Sequence, residues 1–309
     1  MTRKSLQYLL CEQALKNITT DKTVRAYKRN IKEYVRWQKQ NPPPDGLTPA
    51  QKVQRWEREL ERMGCSPSTI HSKIAPVCKG YGISMSEVDH PKRTADKIKR
   101  GRREDVNARG RAELDNPRFA ESVALAKCTG LRRAELAKVS AYDYVRDESG
   151  YPCLQVKGKG GKVQLQRILP EHQKEIEELT SRLDVFNPGA PILDASEIGS
   201  HINYHGIRAD VAREAYAYYT ERMQADPAYR GQLRAELLAR YDNYHAPDKN
   251  ARMRFLRDTE GEYKLRGANA DRARAADRPT EYDRLAALAV SVFHLSHWRL
   301  DVTVVNYLV

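Results

Sequence analysis

Arg132, Lys159, His205, Arg208, His297 and Tyr307 follow one another along the chain as a set suited to one kind of chemistry. Attack on a phosphodiester creates a pentacoordinate phosphorane with excess negative charge. Fixed cationic donors stabilise that charge more than they stabilise the ground state. Arginine keeps its proton, and its planar fork matches two oxygens of one phosphate. A tyrosine hydroxyl is a weak nucleophile at its ordinary pKa of about 10 and needs such surroundings to ionise. Protonating the leaving 5′ oxygen requires a general acid, a role open to Lys159. No acidic pair with metal-ligand spacing accompanies these residues, so metal-free chemistry fits them better than a two-metal mechanism. His201 and His205 stand four apart, but no third ligand is near them in the sequence, and no metal is expected.

Local signals say how these side chains could be positioned. Cys128-Thr129-Gly130-Leu131-Arg132-Arg133-Ala134-Glu135-Leu136 reads as a helix end, a Thr-Gly turn and a new helix start. Such a turn can hold a guanidinium rigidly. Beyond it the apolar period changes: 142–145, 151–156 and 163–169 alternate as strands, with Gly-rich turns between them. Lys159 falls at the tip of the second hairpin, with Lys157 and Lys162 as neighbours that could replace it. The Gly158-Lys159-Gly160-Gly161-Lys162 run is no phosphate-binding loop, because a strand and not a helix follows. His205-Gly206-Ile207-Arg208 opens a helix and puts His205 and Arg208 one turn apart on one side. The stretch 226–278 is polar and weakly periodic. A helix is expected over Glu281–Phe293, a turn at Leu295-Ser296-His297, and a closing helix over Asp301–Tyr307 carrying the tyrosine. His294 reads as packing.

The first third is a run of helices with clear punctuation. Leu6, Leu9, Leu10 and Ala14 mark the first. The second has Val24, Tyr27, Ile31, Tyr34 and Val35 on one face and Arg25, Lys28, Arg29, Lys32 and Arg36 on the other, and it stops before Pro42-Pro43-Pro44. Thr48-Pro49 and Ser66-Pro67 open the third and fourth. From Met1 to Arg103 there are 23 Lys and Arg against 10 Asp and Glu, so this part carries the whole net charge of +13; the remainder balances at 31 against 31. Charge so placed suits a clamp on a phosphate backbone. The stretch Arg93–Arg111, with Lys97, Lys99, Arg100, Arg102 and Arg103, reads as a basic linker able to lie along DNA.

With 309 residues, 40% hydrophobic and 31% charged, the chain suits a two-domain globular protein and not a disordered one. Its five cysteines are scattered and never in a Cys-x-x-Cys pair, which points to a reducing compartment and away from a disulfide framework. No signal peptide and no membrane span are expected, hence a cytoplasmic protein.

Taken in order, Thr-Gly-Leu-Arg-x-x-Glu-Leu, a hairpin lysine, His-x-x-Arg, His and Tyr resemble the motifs of the tyrosine recombinases, the integrases of phages and mobile elements. The ending Ser296-His297-x-Arg299-Leu300-Asp301-Val302…Tyr307-Leu308 looks like that of mobile-element integrases. The resemblance implies an α+β, mostly helical fold. It divides the chain into a helical DNA-clamping (core-binding) domain over 1–100, a basic linker over 101–114 and a catalytic domain over 115–309, with 226–278 as an inserted subdomain. It also implies roles. Arg132 and Arg208 would grip the scissile phosphate, Lys159 would be the general acid, and His205 and His297 would hydrogen-bond the same oxygens. Tyr307 would form a 3′-phosphotyrosyl bond, and Glu135 would brace the Arg132 turn. The family's usual spacing before the nucleophile falls on Trp298, which is therefore the alternate to His297, and Ser296 stands where Gly is more usual. No cofactor is implied. The partners would be double-stranded DNA at two recombination sites and three further copies of the chain in a tetramer, with room for an accessory protein. The alternatives are a recombinase-like protein that binds DNA without cutting it, and a type IB topoisomerase or resolvase with the same chemistry.

Overall fold

Capping side chains open three of the first four helices. Ser5 opens α1 (Leu6–Ala14) by accepting from the Tyr8 N–H at 3.2 Å. The long α2 (Asp21–Gln40) ends just before the three prolines. A reciprocal box opens α3 (Pro49–Arg62): the Gln51 N–H donates to Thr48 Oγ1 at 3.3 Å, and the Thr48 N–H to Gln51 Oε1 at 2.9 Å. Ser66 caps α4 (Pro67–Tyr81), and Gly82 ends it at φ +70°, where a side chain would be strained. Pro76, inside α4, cannot donate to the Ser72 carbonyl one turn back. The buried Asn30 amide of α2 donates to that carbonyl instead, at 2.9 Å. Leu10, Ile31, Tyr34, Trp56, Leu60 and Ile74 fill the core between these helices. Arg25, Lys28, Arg29, Lys32 and Arg36 all lie on the exposed side of α2.

The computed structural model describes residues 4–92, 108–158, 161, 163–181 and 189–309. The chain divides into two units, Met1–Lys99, which holds α1–α4, and Arg100–Val309. Lys97, Lys99, Arg100, Arg102 and Arg103 lie outside the described residues. The end of the expected linker is helical, as α5 (Ala108–Leu114), and it is tied into the second unit. There the Glu113 carboxylate accepts the His201 N–H at 2.7 Å and the Ile202 N–H at 3.0 Å.

In the second unit α6 (Ala120–Thr129) and α7 (Arg133–Leu136) flank the Gly130 turn. Strands β1 (Tyr144–Arg146), β2 (Pro152–Lys157) and β3 (Val163–Arg167) form an antiparallel sheet in that order, with Cys153 opposite Val145 and Arg167. Two helices follow, α8 (Gln173–Ser181) and α9 (Tyr204–Ala225). The sheet, α6 and α8 enclose one core around Leu125, Leu136, Leu154, Ile168 and Ile176.

The stretch 226–278 is well structured. It contains α10 (Pro227–Tyr244), α11 (Lys249–Arg257), strand β4 (Glu262–Lys264) and α12 (Ala268–Ala275). Tyr229, Leu233, Leu237, Phe255 and Ala273 join the same core as α9 and the closing segments, so this stretch shares its core with the rest of the unit. Buried charges bind it further. Arg167 of β3 donates to Asp147 at 2.6 Å and also pairs with Glu236 of α10, while Arg240 reaches Asp147 at 2.9 Å.

The expected helix from Glu281 begins later. Glu281–Asp283 is a strand, β5, paired antiparallel with β4, and Asp283 then caps α13 (Arg284–Ala289) by accepting from the Ala286 N–H at 3.0 Å. A π-helical turn at Val290–His294 continues α13. Another, at Val304–Leu308, continues α14 (Leu300–Thr303). The architecture is α+β and mostly helical, with small antiparallel sheets. Among the described residues no helix is long and apolar enough to cross a membrane.

Candidate active site

Arg132 follows a forced turn. Gly130 ends α6 at φ +63°, and a Cβ there would stand 3.2 Å from Val211 Cγ1, so both conformation and space select glycine. Arg132 then sits in extended backbone as the residue before α7. The buried Glu135 carboxylate accepts from the Arg132 N–H at 2.8 Å and from Nη1 at 2.7 Å, which fixes both the backbone and the guanidinium. The Arg132 side chain remains 41% exposed, and its other guanidinium nitrogens are available to a ligand.

Arg208 is the reverse case, with no exposure at all. Its Nη1 donates to the Gly130 carbonyl and its Nη2 to the Leu295 carbonyl, while Nε has no partner among the described residues. Burial, and then the charge of Arg132, pull its pKa down to about 10, and the Tyr307 hydroxyl acts in the opposite sense. It stays cationic at neutral pH. Two cations so close, one of them wholly desolvated, leave a positive field that an anion would relieve.

The start of α9 positions His205 and Arg208. Asn203 caps the helix by accepting from the Gly206 N–H at 3.0 Å, and its amide nitrogen stands 2.7 Å from where a Cβ on residue 206 would be, so a side chain there would push the cap aside. The Tyr204 hydroxyl contacts Ser122 Oγ at 2.9 Å, pinning the first turn to α6. His205 is exposed, and its ring lies 5.2 Å from the Tyr307 ring.

His297 lies between two residues in the left-handed region, Ser296 (φ +52°) and Trp298 (φ +56°). Neither is glycine, and each such residue costs on the order of 1–3 kcal/mol that its surroundings must offset. The His297 ring is 5.6 Å from that of Tyr307. Its Nδ1 contacts Ser291 Oγ at 3.3 Å, while Nε2 is buried without a partner among the described residues. Burial, Arg208 and Arg132 push its pKa down to about 3, so the ring is neutral at pH 7. Trp298 turns elsewhere, 4.7 Å from His245 and 5.6 Å from Tyr244. Of the two alternatives, His297 is the one that meets the tyrosine.

Tyr307 is buried in the last π-helical turn, with the Arg208 guanidinium 5.8 Å from its ring. Arginines grip the backbone around it. Arg272 donates to the Val305 carbonyl at 2.6 Å, Arg213 to Tyr307 at 3.1 Å and Arg278 to Leu308 at 3.2 Å. They satisfy carbonyls that a helix end leaves without partners.

Arg132, Glu135, His205, Arg208, His297 and Tyr307 therefore converge, although they come from four separate parts of the chain. Lys159 and Lys162 lie outside the described residues; Lys157 is exposed at the end of β2. Ser291 escaped the sequence reading, yet its Oγ accepts from the Arg299 N–H at 2.8 Å and orients His297. So did Arg213, Arg272 and Arg278. The only sequence signal for the last two was the arginine content of 266–278.

No protein-family model matches the chain, and no curated protein does. Among solved structures, one similar to it is a XerA recombinase, at 14% identity and a TM-score of 0.25 over 69% of this chain and 84% of that one. Another is the Tn1549 transposon integrase in complex with a circular intermediate DNA, at 11% identity and a TM-score of 0.38 over 99% of this chain and 95% of that one. Likenesses this remote leave the functional reading to the geometry of the site.

Proposed function

We propose that this chain is a tyrosine site-specific recombinase that cuts and rejoins DNA through a covalent 3′-phosphotyrosyl intermediate. The observation that carries the reading is the setting of Tyr307, with His205 and His297 at 5.2 and 5.6 Å from its ring and Arg208 at 5.8 Å. In the proposed step the Tyr307 hydroxyl gives up its proton, which passes by way of the exposed His205 imidazole to solvent, as its oxygen bonds to phosphorus and the bond to the 5′ oxygen breaks. Arg132 and Arg208 hold the non-bridging oxygens as charge builds on them. His205 and His297 donate hydrogen bonds to the same oxygens, the unpartnered Nε2 of neutral His297 serving in the tautomer that carries its proton there, with the Ser291 hydroxyl donating to Nδ1. Lys159 gives its proton to the leaving oxygen. The covalent link keeps the energy of the broken bond, so rejoining needs no ATP.

The exposed basic face of α2 would take backbone phosphates, and so would Lys97, Lys99, Arg100, Arg102 and Arg103 of the basic stretch that follows α4 in sequence. By the family resemblance, the working assembly is a tetramer on two DNA sites of a mobile element.

A nicked duplex carrying the ends of the encoding element tests this. Wild-type protein should give a covalent protein–DNA band that Tyr307→Phe loses while still shifting the DNA. A tight, salt-sensitive shift with no covalent product from the wild type would make the chain a DNA binder instead.

A further inference from the structure

Behind the Arg132 turn lies a cluster that the proposed chemistry does not use. Cys128, in the last turn of α6, is buried, and its thiol donates to Glu175 Oε2 of α8 at 3.1 Å. The His172 imidazole, just before α8, joins them, and the three donor atoms lie within 4.8 Å of one another. Glu214 of α9 adds a carboxylate oxygen 3.4 Å from His172 Nε2, and its charge reaches the Cys128 thiol. Among the described residues no Lys or Arg forms an ion pair with Glu175 or Glu214. A buried thiol, a half-buried imidazole and a carboxylate on the exposed Glu175 thus converge, with a second carboxylate beside the imidazole.

We propose that Cys128, His172 and Glu175 form a binding site for a thiophilic divalent cation of the zinc class, with Glu214, 3.4 Å from His172 Nε2, within reach as a fourth ligand. Zn²⁺ takes four such donors, with bonds of about 2.3 Å to sulfur and about 2.0–2.2 Å to nitrogen and oxygen. Tetrahedral donors are then about 3.3–3.7 Å apart, so side-chain shifts of about 1 Å close the site. The thiol proton leaves as the metal–sulfur bond forms. Hard cations such as Mg²⁺ fit the donor set poorly, because one ligand is a thiolate and another an imidazole. The ligands come from α6, α9 and the region of α8, so no short spacing in the sequence discloses them. A bound ion would clamp the end of α6, whose next residues are Thr129, Gly130, Leu131 and Arg132.

The test uses the untagged full chain under a phosphine reductant, titrated with Co²⁺ as a spectroscopic stand-in and then with Zn²⁺ against a chromophoric chelator. The expected results are a thiolate-to-cobalt charge-transfer band, displacement of cobalt by zinc, and one zinc per chain with a Kd of about 1 µM or tighter. Cys128→Ser should abolish the band and weaken zinc binding about 100-fold. His172→Gln, at a half-buried position that tolerates the change, should weaken it about 10-fold or more with the fold intact by circular dichroism. Cobalt spectra without a thiolate band, or zinc binding unchanged in His172→Gln, would overturn the site. Neither readout depends on DNA cleavage, so the proposal stands or falls apart from the recombinase reading.

Discussion

The helices of the first unit and the closing segment of the second obey different rules. In α1–α4 most boundaries have a neighbouring cause: Thr48 and Ser66 cap, Pro42 stops, and Gly82 turns the chain. Even the misfit Pro76 is repaired, by the Asn30 amide. From Val290 to Val309 the local rules are broken repeatedly. Two turns are π-helical, Ser296 and Trp298 sit in the left-handed region, and His297 keeps a buried nitrogen without a partner among the described residues. The first unit has its own exceptions, Asn17 at φ +63° and the likewise unpartnered Trp56 Nε1, but there they are scattered. In the closing segment they cluster around His297, and strain so concentrated must be sustained by the surrounding core. The cluster falls on the candidate site that the sequence motifs also mark.

Arg208 should break that contrast most severely. Arg208→Ala removes the charge from the candidate site and leaves the Gly130 and Leu295 carbonyls unpartnered, a loss of about 2–4 kcal/mol. Urea unfolding should show it. Trp298 fluorescence, read in a Trp37→Phe, Trp56→Phe background, would report the second unit alone. Covalent DNA product should fall below detection.

Next in size is the grip on the tyrosine. Arg272→Ala combined with Arg278→Ala frees the Val305 and Leu308 carbonyls. Misplacing a nucleophile by about 1 Å costs on the order of 100-fold in rate. Cleavage under single-turnover conditions should therefore slow by about 10- to 100-fold while DNA affinity holds. Equal losses of rate and affinity would show instead that the arginines touch DNA.

Acid should weaken the second unit in a defined window. His294 and His297 have folded pKa values pushed down to about 3, whereas unfolded histidine titrates near 6.5. Below pH 6.5 the unfolded chain binds protons that the folded chain refuses, so stability is full above 6.5 and falls as pH drops towards 3. The expected slope is about 1.4 kcal/mol per pH unit for each histidine. His297→Gln should halve it, as followed by urea midpoints between pH 7 and 4.5.

The smallest effects form a matched pair. Ser296→Gly relieves a left-handed residue and removes a buried hydroxyl without a partner, and should stabilise by about 1 kcal/mol. Gly82→Ala, at φ +70° in open space, should destabilise by about 1 kcal/mol. Opposite signs from the two melting temperatures would confirm that one region is relaxed and the other strained.

Legibility in the sequence followed the same division. The helices of the first unit were readable because Thr-Pro, Ser-Pro and Gly act on adjacent residues. The three-stranded sheet was readable from its alternation and glycine turns. The stretch 226–278 misled because its polarity hid a sparse apolar set, Tyr229, Leu233, Leu237 and Phe255, that joins a core built elsewhere. Strand β5 hid inside an apparent helix because its pairing partner lies in that same stretch. In the candidate site the charged and aromatic residues stood out by type and order. Ser291, Arg213, Arg272 and Arg278 act on backbone atoms far along the chain, and no local pattern records such bonds.

The bonds of Arg208 have a consequence for how the chain comes to life. One guanidinium joins the turn that presents Arg132 to the turn that presents His297, and it can do so only once α9 is docked and the last segment is in place. Closing the core and arming the site are then one event. A nascent or partly opened chain has loose cations and a stray tyrosine but no assembled candidate site, so the proposed chemistry on DNA would wait for the finished fold.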